Sequence, residues 1–251
     1  MSFFNYHDKQ IYYERIGEGK PLLFLHGNTS SSKLFSPMLH LYSDFQILLI
    51  DFLGYGQSDR LAEFPTELWK DEARQTVALL DHLQLGRVDL VGTSGGAWAA
   101  INAALLRPDL IATVTADSFD GRSLHEGFGD ELLAERKAVA ANPETAVIYQ
   151  WYLGDDWESI VKKDTDSLLR LIRSEKGLFF DSLKTLKCPL LLTGTINDGM
   201  IRSNIKEEYQ AIVDEVPQVR FQLFENPGHP AIGTNMEEVA AAIIQFITEY
   251  S

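Results

Sequence analysis

The chain has 251 residues, 45% of them hydrophobic, and its 36 acidic side chains outnumber 22 basic ones, for a formal net charge of −14. That is ample for one packed domain with room for an inserted lid. With no basic run in the sequence, the acidity excludes nucleic acid and anionic lipid surfaces as partners.

In chain order, the opening "MSFFNYHDKQ" lacks the basic-then-apolar pattern of a signal peptide. Two alternating runs around "HDKQ" predict a small antiparallel hairpin at a sheet edge. "PLLFLHG" from Pro21 and "FQILLIDFLGYG" from Phe45 are nearly continuous in apolar residues, the pattern of strands covered on both faces. After the first comes "LHGN", then "TSSS", which reads as a helix entry with serine caps; His26 is expected to hold the loop. After the second, Gly54 and Gly56 in "DFLGYGQSD" predict a structural turn in which Asp51 satisfies backbone donors. "TELWKDEARQTVALLDHLQLG" predicts a helix that starts at Thr66 and stops at Gly86. "RVDLVGTSG" is a third buried-strand pattern, followed by the helical "GGAWAAINAALL", which ends before Pro108; its Trp98 is expected to pack on the sheet. "LIATVTADS", "CPLLLTG" and "VRFQLFEN" are further strands, and "MEEVAAAIIQFITEY" is a terminal amphipathic helix. Strands alternating with helices imply an α/β fold with a mostly parallel sheet.

Between residues 120 and 186 the rhythm breaks into short helical patterns without strands. The simplest organisation is a core of residues 1–119 and 187–251, with 120–186 a helical cap over the carboxyl edge of the sheet. Within the cap, Trp151, Tyr152, Trp157, Phe179 and Phe180 are candidates for an apolar wall, and "VKKDTD" (161–166) reads as a solvated face. The single Cys188 permits no internal disulfide and reads as a buried strand-start residue. No apolar stretch approaches the roughly 20 residues needed to span a bilayer. A cytoplasmic monomer or homodimer with a small-molecule substrate is expected.

"VGTSGG" holds Gly92-Thr93-Ser94-Gly95-Gly96, a G-x-S-x-G pattern between a strand and a helix. A hairpin bend at that junction strains its central residue and brings the residues two before and two after it into contact. Gly92 and Gly96 meet that demand, and Ser94 is lifted above the sheet. A plain glycine turn or a phosphate loop could use similar residues, but no G-x-x-x-x-G-K-[ST] is present. A serine hydroxyl needs a base to take its proton and an acid to orient that base. Of the six histidines, His82 lies in a helix pattern, His7 and His40 lack chemical neighbours, and His125 sits in the insertion, where it could at most touch substrate. His229, in "ENPGHPAIG" after the last strand, is at the edge where open parallel sheets gather their chemistry. Asp198 in "CPLLLTGTIND" is the expected acid, with Asp117 and Asp120 as rivals. The backbone N–H groups of Asn28 and Gly95 are placed to cradle a tetrahedral oxyanion.

These pieces together resemble the α/β-hydrolase family: "LHGN", "DFLGYGQSD", "LVGTSGGAWAA", "LLLTGTIND" and "NPGH", in that order, cover nearly the whole chain except the insertion. The resemblance implies a mostly parallel eight-stranded sheet, a helical lid, and a triad of Ser94, Asp198 and His229 with Asn28 and Gly95 as oxyanion donors. It implies no metal or organic cofactor. "HGN" is similar to the loop of haloalkane dehalogenases, but those use a carboxylate nucleophile followed by a halide-holding tryptophan. Ser94 and Gly95 stand in those places here, which disfavours dehalogenation and epoxide hydrolysis. The "HGGP" of proline iminopeptidases is absent. An esterase-like serine hydrolase is expected, with carbon–carbon bond hydrolysis close behind and a non-catalytic ligand receptor as the reading from another class.

Overall fold

The computed structural model describes residues 2–174 and 176–250. Eight strands form one sheet: β1 (Ser2–Tyr6), β2 (Lys9–Ile16), β3 (Lys20–Leu25), β4 (Phe45–Asp51), β5 (Val88–Thr93), β6 (Ile111–Asp117), β7 (Leu190–Thr195) and β8 (Val219–Phe224). Their spatial order is β1-β2-β4-β3-β5-β6-β7-β8. β1 and β2 pair antiparallel, β2 pairs antiparallel with β4, and every later pairing is parallel. The expected edge hairpin is there. His7 and Asp8 turn it with positive φ at both positions, the geometry that matches strand twist in a two-residue loop.

The near-continuous apolar runs are sorted by parity, as the alternation of side chains along a strand requires. Leu23, Leu25, Leu48, Ile50 and Leu90 pack into one core cluster, while Leu22, Phe24, Ile47, Leu49 and Val91 pack into the other. Helices α1 (Leu68–Leu83) and α2 (Gly95–Leu106) cover the first face. The 3₁₀ segment Ser32–Tyr42 and the terminal helix α8 (Met236–Glu249) cover the second. Two local expectations shift. Helix α1 stops at Gln84, left-handed at φ 51°, two residues before Gly86. The serines after "HGN" lead into 3₁₀ rather than α geometry, and Ser31 makes no side-chain cap bond.

Between β6 and β7 lie α3 (Phe128–Ala141), α4 (Pro143–Leu153) and α5 (Trp157–Arg173). Asn142 starts α4 by accepting the Glu144 N–H, with Pro143 at the first helical position, where its missing N–H costs nothing. Helix α5 buries Ile160, Val161, Asp164, Leu168 and Leu171, the 3.6-residue stripe of an amphipathic helix. This corrects the reading of "VKKDTD" as a solvated face: Asp164 lies inside that stripe and is fully buried, and only the Lys162–Asp166 pair is solvated. After β7 and β8 come α6 (Ile205–Glu215) and the short α7 (Ala231–Thr234). Among the described residues no helix is long and apolar enough to cross a membrane.

Candidate active site

Ser94 stands between β5 and α2 with φ 53° and ψ −122°, a backbone conformation costly for any residue with a side chain. The surroundings hold it there. Its N–H donates to the Asp117 carbonyl at 2.8 Å and its carbonyl accepts the Ala97 N–H at 3.0 Å. A Cβ at Gly92 would run into the Gly96 carbonyl, and one at Gly96 would run into the Leu25 carbonyl. The bend therefore closes only with glycine at both positions. Gly27 completes the fit, because a Cβ there would come within 2.9 Å of the Ser94 Cβ.

Two distant loops converge on this hydroxyl. His229, past β8, places Nε2 at 2.9 Å from Ser94 Oγ, and Asp198, past β7, places Oδ2 at 2.8 Å from His229 Nδ1. The Asp198 side chain is fully buried and its other oxygen accepts the Met200 N–H at 2.9 Å, so one carboxylate makes the turn and faces the imidazole. The rivals are occupied elsewhere. Asp117 accepts from Thr93 Oγ1, Thr193 Oγ1 and the Ile232 N–H, tying the ends of three strands to the loop that carries His229. Burial pushes its carboxyl up to about 6, against the pull of those donors. Asp120 accepts from His125 and from the Arg202 N–H.

The loop after β3 closes the other side. His26 is buried; its Nδ1–H donates to the Gly27 carbonyl at 2.8 Å and its Nε2 accepts the Phe52 N–H at 3.1 Å, the structural place expected of it. Burial lowers its pKa and keeps it neutral, despite the nearby charge of Asp51. Asp51 holds the Ser32 and Gln57 N–H groups, as a turn residue should. Asn28 lies against Gly95, so close that a Cβ on Gly95 would overlap Asn28 Oδ1 and sit 2.7 Å from Trp69 Nε1. Gly95 opens α2, so its N–H belongs to the first turn, which has no intrahelical acceptor. The Asn28 amide is fixed at both ends. Oδ1 accepts from Trp69 Nε1–H at 2.9 Å, and Nδ2 donates to Asp164 at 2.6 Å.

A cavity opens beside Ser94 and His229, walled mainly by Trp69, Trp98, Phe128, Leu132, Leu168 and Ile201, with Asp120, Glu131, Glu135 and Arg136 also on its lining. A second, more open cleft also reaches Ser94 and is bordered by Thr29, Ser30, Tyr149 and Tyr152. Of the five aromatics expected to form the wall, only Tyr152 borders either space. Trp151 is 47% exposed, under the Lys33 ammonium at 5.8 Å. Trp157 borders an outer groove between α3 and α5. Phe179 packs edge-on against Phe119, and Phe180 lies beneath the Arg74 guanidinium. Trp98 does not pack on the sheet alone but stacks on Trp69 at 4.2 Å and faces the cavity. His125 stands outside that cavity, bridging Asp120 and Glu131 at 2.9 Å each. Burial opposes its charge, yet those two carboxylates outweigh it and raise its pKa.

Sequence reasoning passed over Trp69, Phe128, Leu132, Arg136, Asp164 and Leu168. Two signals could have found most of them. Phe128, Leu132 and Arg136 recur every four residues on α3, one face of a helix. Asp164 is an acid inside the apolar stripe of α5.

The chain belongs to the alpha/beta hydrolase family, whose model matches residues 22–242. It is 35% identical over 135 residues to the 2-(acetamidomethylene)succinate hydrolase of Mesorhizobium japonicum, a match covering 50% of this chain and 48% of that one. It is 29% identical over 211 residues to the (E)-2-((N-methylformamido)methylene)succinate hydrolase of Acinetobacter baylyi, covering 75% and 76%. The match to the first of these relatives thus spans about half of that relative's length. In three dimensions it superposes on an esterase of Exiguobacterium antarcticum with a TM-score of 0.76 over 98% of this chain and 99% of that one, at 18% identity.

Proposed function

We propose that this protein is a serine hydrolase that cleaves a small-molecule acyl ester or related carbonyl compound, with residues 120–186 acting as its cap. The observation that carries the reading is the relay of 2.9 and 2.8 Å from Ser94 Oγ through His229 to Asp198. Ser94 attacks the carbonyl carbon while His229 Nε2 takes its proton. Asp198 holds the imidazole in the tautomer that leaves Nε2 free and stabilises the imidazolium that forms. The Asn28 and Gly95 N–H groups meet the oxyanion; one such donor is worth about 2.7–4 kcal/mol of barrier. The tetrahedral intermediate collapses, the carbon–oxygen bond breaks, and the alcohol leaves with the proton from His229. Water then gives a proton to the same nitrogen and its oxygen attacks the acyl-enzyme, releasing the acid and restoring Ser94. The more sheltered, mainly apolar cavity suits the acyl group and the more open, hydroxyl-bordered cleft suits the leaving group.

A second reading, carbon–carbon bond hydrolysis at the same serine, is favoured by a likeness to the 2-hydroxymuconate semialdehyde hydrolase of a Pseudomonas strain, 32% identical over 101 residues, whose substrate has no ester or amide bond to hydrolyse. One experiment separates these chemistries from a non-catalytic receptor. A fluorophosphonate probe should label the wild type and spare Ser94→Ala, and p-nitrophenyl butyrate should be turned over only by the wild type. Labelling without ester turnover would favour the carbon–carbon reading. Equal turnover in both proteins would remove Ser94 from the mechanism.

A further inference from the structure

Asp164 occupies the middle of α5, one turn after Ile160 and one turn before Leu168, with all three buried. A carboxylate at such a position is tolerable only if donors replace the water it has lost. Three do so. Oδ2 accepts from Asn28 Nδ2 at 2.6 Å and from the Tyr55 hydroxyl at 2.5 Å, and Oδ1 accepts from the Arg136 guanidinium at 3.2 Å. Arg136 belongs to the insertion, but Asn28 and Tyr55 belong to the core. Asn28 is the residue whose backbone N–H faces the developing oxyanion in the reading above. Its amide is threaded between a core donor, Trp69 Nε1, and an acceptor on the insertion, Asp164. With donor on one side and acceptor on the other, the amide has one orientation, and the side chain ties the loop after β3 to both neighbours.

We propose that Asp164 is a positioning residue for the oxyanion loop, so that seating the insertion and aiming the Asn28 N–H are a single event. This rests on the serine-hydrolase reading, and it makes a distinct claim: a side chain outside the sheet governs a donor at its edge. Were Asp164 only a counter-ion for Arg136, its loss would lower stability or raise KM and leave the chemical step alone.

The test is a double-mutant cycle on kcat and KM for p-nitrophenyl butyrate, with melting temperatures recorded alongside. Asp164→Asn keeps the volume but leaves one oxygen for three donors. It should lower kcat by about 10- to 100-fold, since small misplacement of a transition-state donor costs that much, with KM within about threefold. Asn28→Ala should cost a similar factor. The double variant should be no slower than the slower single variant, because both substitutions break one chain of contacts. Tyr55→Phe, which removes one anchor of Asp164 and keeps the ring, should lower kcat less and also be non-additive with Asn28→Ala; it carries the cycle if Asp164→Asn fails to fold. Additive losses, or changes confined to KM and melting temperature, overturn the proposal. If they appear while Ser94→Ala is inactive, the hydrolase reading stands without it. Undiminished turnover by Ser94→Ala overturns both.

Discussion

The two halves of the candidate site are built by different means. At the sheet edge, Asn28, Ser94, Asp198 and His229 come from the loops after β3, β5, β7 and β8. The bend that carries Ser94 is set by close approach at Gly27, Gly92 and Gly96, where a single Cβ would collide. Opposite them, α3 and α5 contribute isolated side chains from helix faces, among them Phe128, Leu132, Arg136, Asp164 and Leu168. A helix face can exchange one side chain for another without moving its axis, whereas a closed glycine bend has no such freedom. On the proposed function, chemistry would be fixed by main-chain geometry and substrate choice by side-chain volume.

Breaking the first half should have the largest effect. On the proposed mechanism His229→Ala removes the base from a relay whose members act as a unit, so kcat for an acyl ester should fall by about 10⁴-fold or more. A loss under tenfold would mean that the edge residues do not carry the chemistry. Asp117 is next, because it joins the strand ends to the His229 loop. Its carboxyl is pushed up to about 6, above the ordinary 3.8. The folded state therefore keeps a proton that the unfolded state has lost, and stability from this group is full below pH 4 and declines as pH rises through about 6. Asp117→Asn removes that dependence. The difference in unfolding free energy between wild type and variant should fall by about 2.4 kcal/mol from pH 4 to pH 7, read from urea midpoints at each pH. A constant difference would show that Asp117 does not titrate in this range.

The same division explains what could be read from the sequence. Gly92, Ser94 and Gly96 sit within five residues, and the strand-to-helix change around them is local, so the elbow and its strained serine were visible without coordinates. Asp198 and His229 each follow a strand pattern, and topology alone carries strand ends to one edge. Asp51 and His26 were legible in part, since each has a partner in its own loop, Gln57 and Gly27, but not in their bonds to Ser32 and Phe52, which tie the two loops together. Asp164 was not, because its partners Asn28, Tyr55 and Arg136 are 136, 109 and 28 residues away and nothing local announces them. The large aromatics of the insertion misled through size. Trp151 and Trp157 bury area against outer surfaces, while the cavity wall is made by smaller residues on the inner face of α3 and by Trp69 and Trp98 from the core.

Gly95→Ala tests the seam between the halves. The new Cβ would overlap Asn28 Oδ1 and crowd Trp69 Nε1, displacing the side chain that links the oxyanion loop to Asp164. We expect kcat to fall by about 100-fold, the cost of one lost oxyanion donor, with fluorophosphonate labelling of Ser94 slowed in step. An unchanged kcat would mean that the Asn28 side chain can move without consequence.

The smallest effects lie wholly inside the insertion, where they separate its inner face from its outer one. Leu132 and Leu168 border the more sheltered cavity, and shortening either should admit longer acyl chains. Because a methylene in an apolar pocket is worth about 1–3 kcal/mol, Leu132→Ala or Leu168→Ala should raise the kcat/KM ratio of p-nitrophenyl octanoate to butyrate by about tenfold. Trp151 is a far larger side chain on the same insertion, yet it stands outside both spaces beneath the Lys33 ammonium. Trp151→Ala should shift that ratio by less than about twofold and stability by no more than about 0.5 kcal/mol, the range of an ordinary surface substitution. If Trp151→Ala moved the chain-length preference as far as Leu132→Ala, the insertion would have to sit differently on the core when substrate is bound, and selectivity would belong to its position rather than to its inner face.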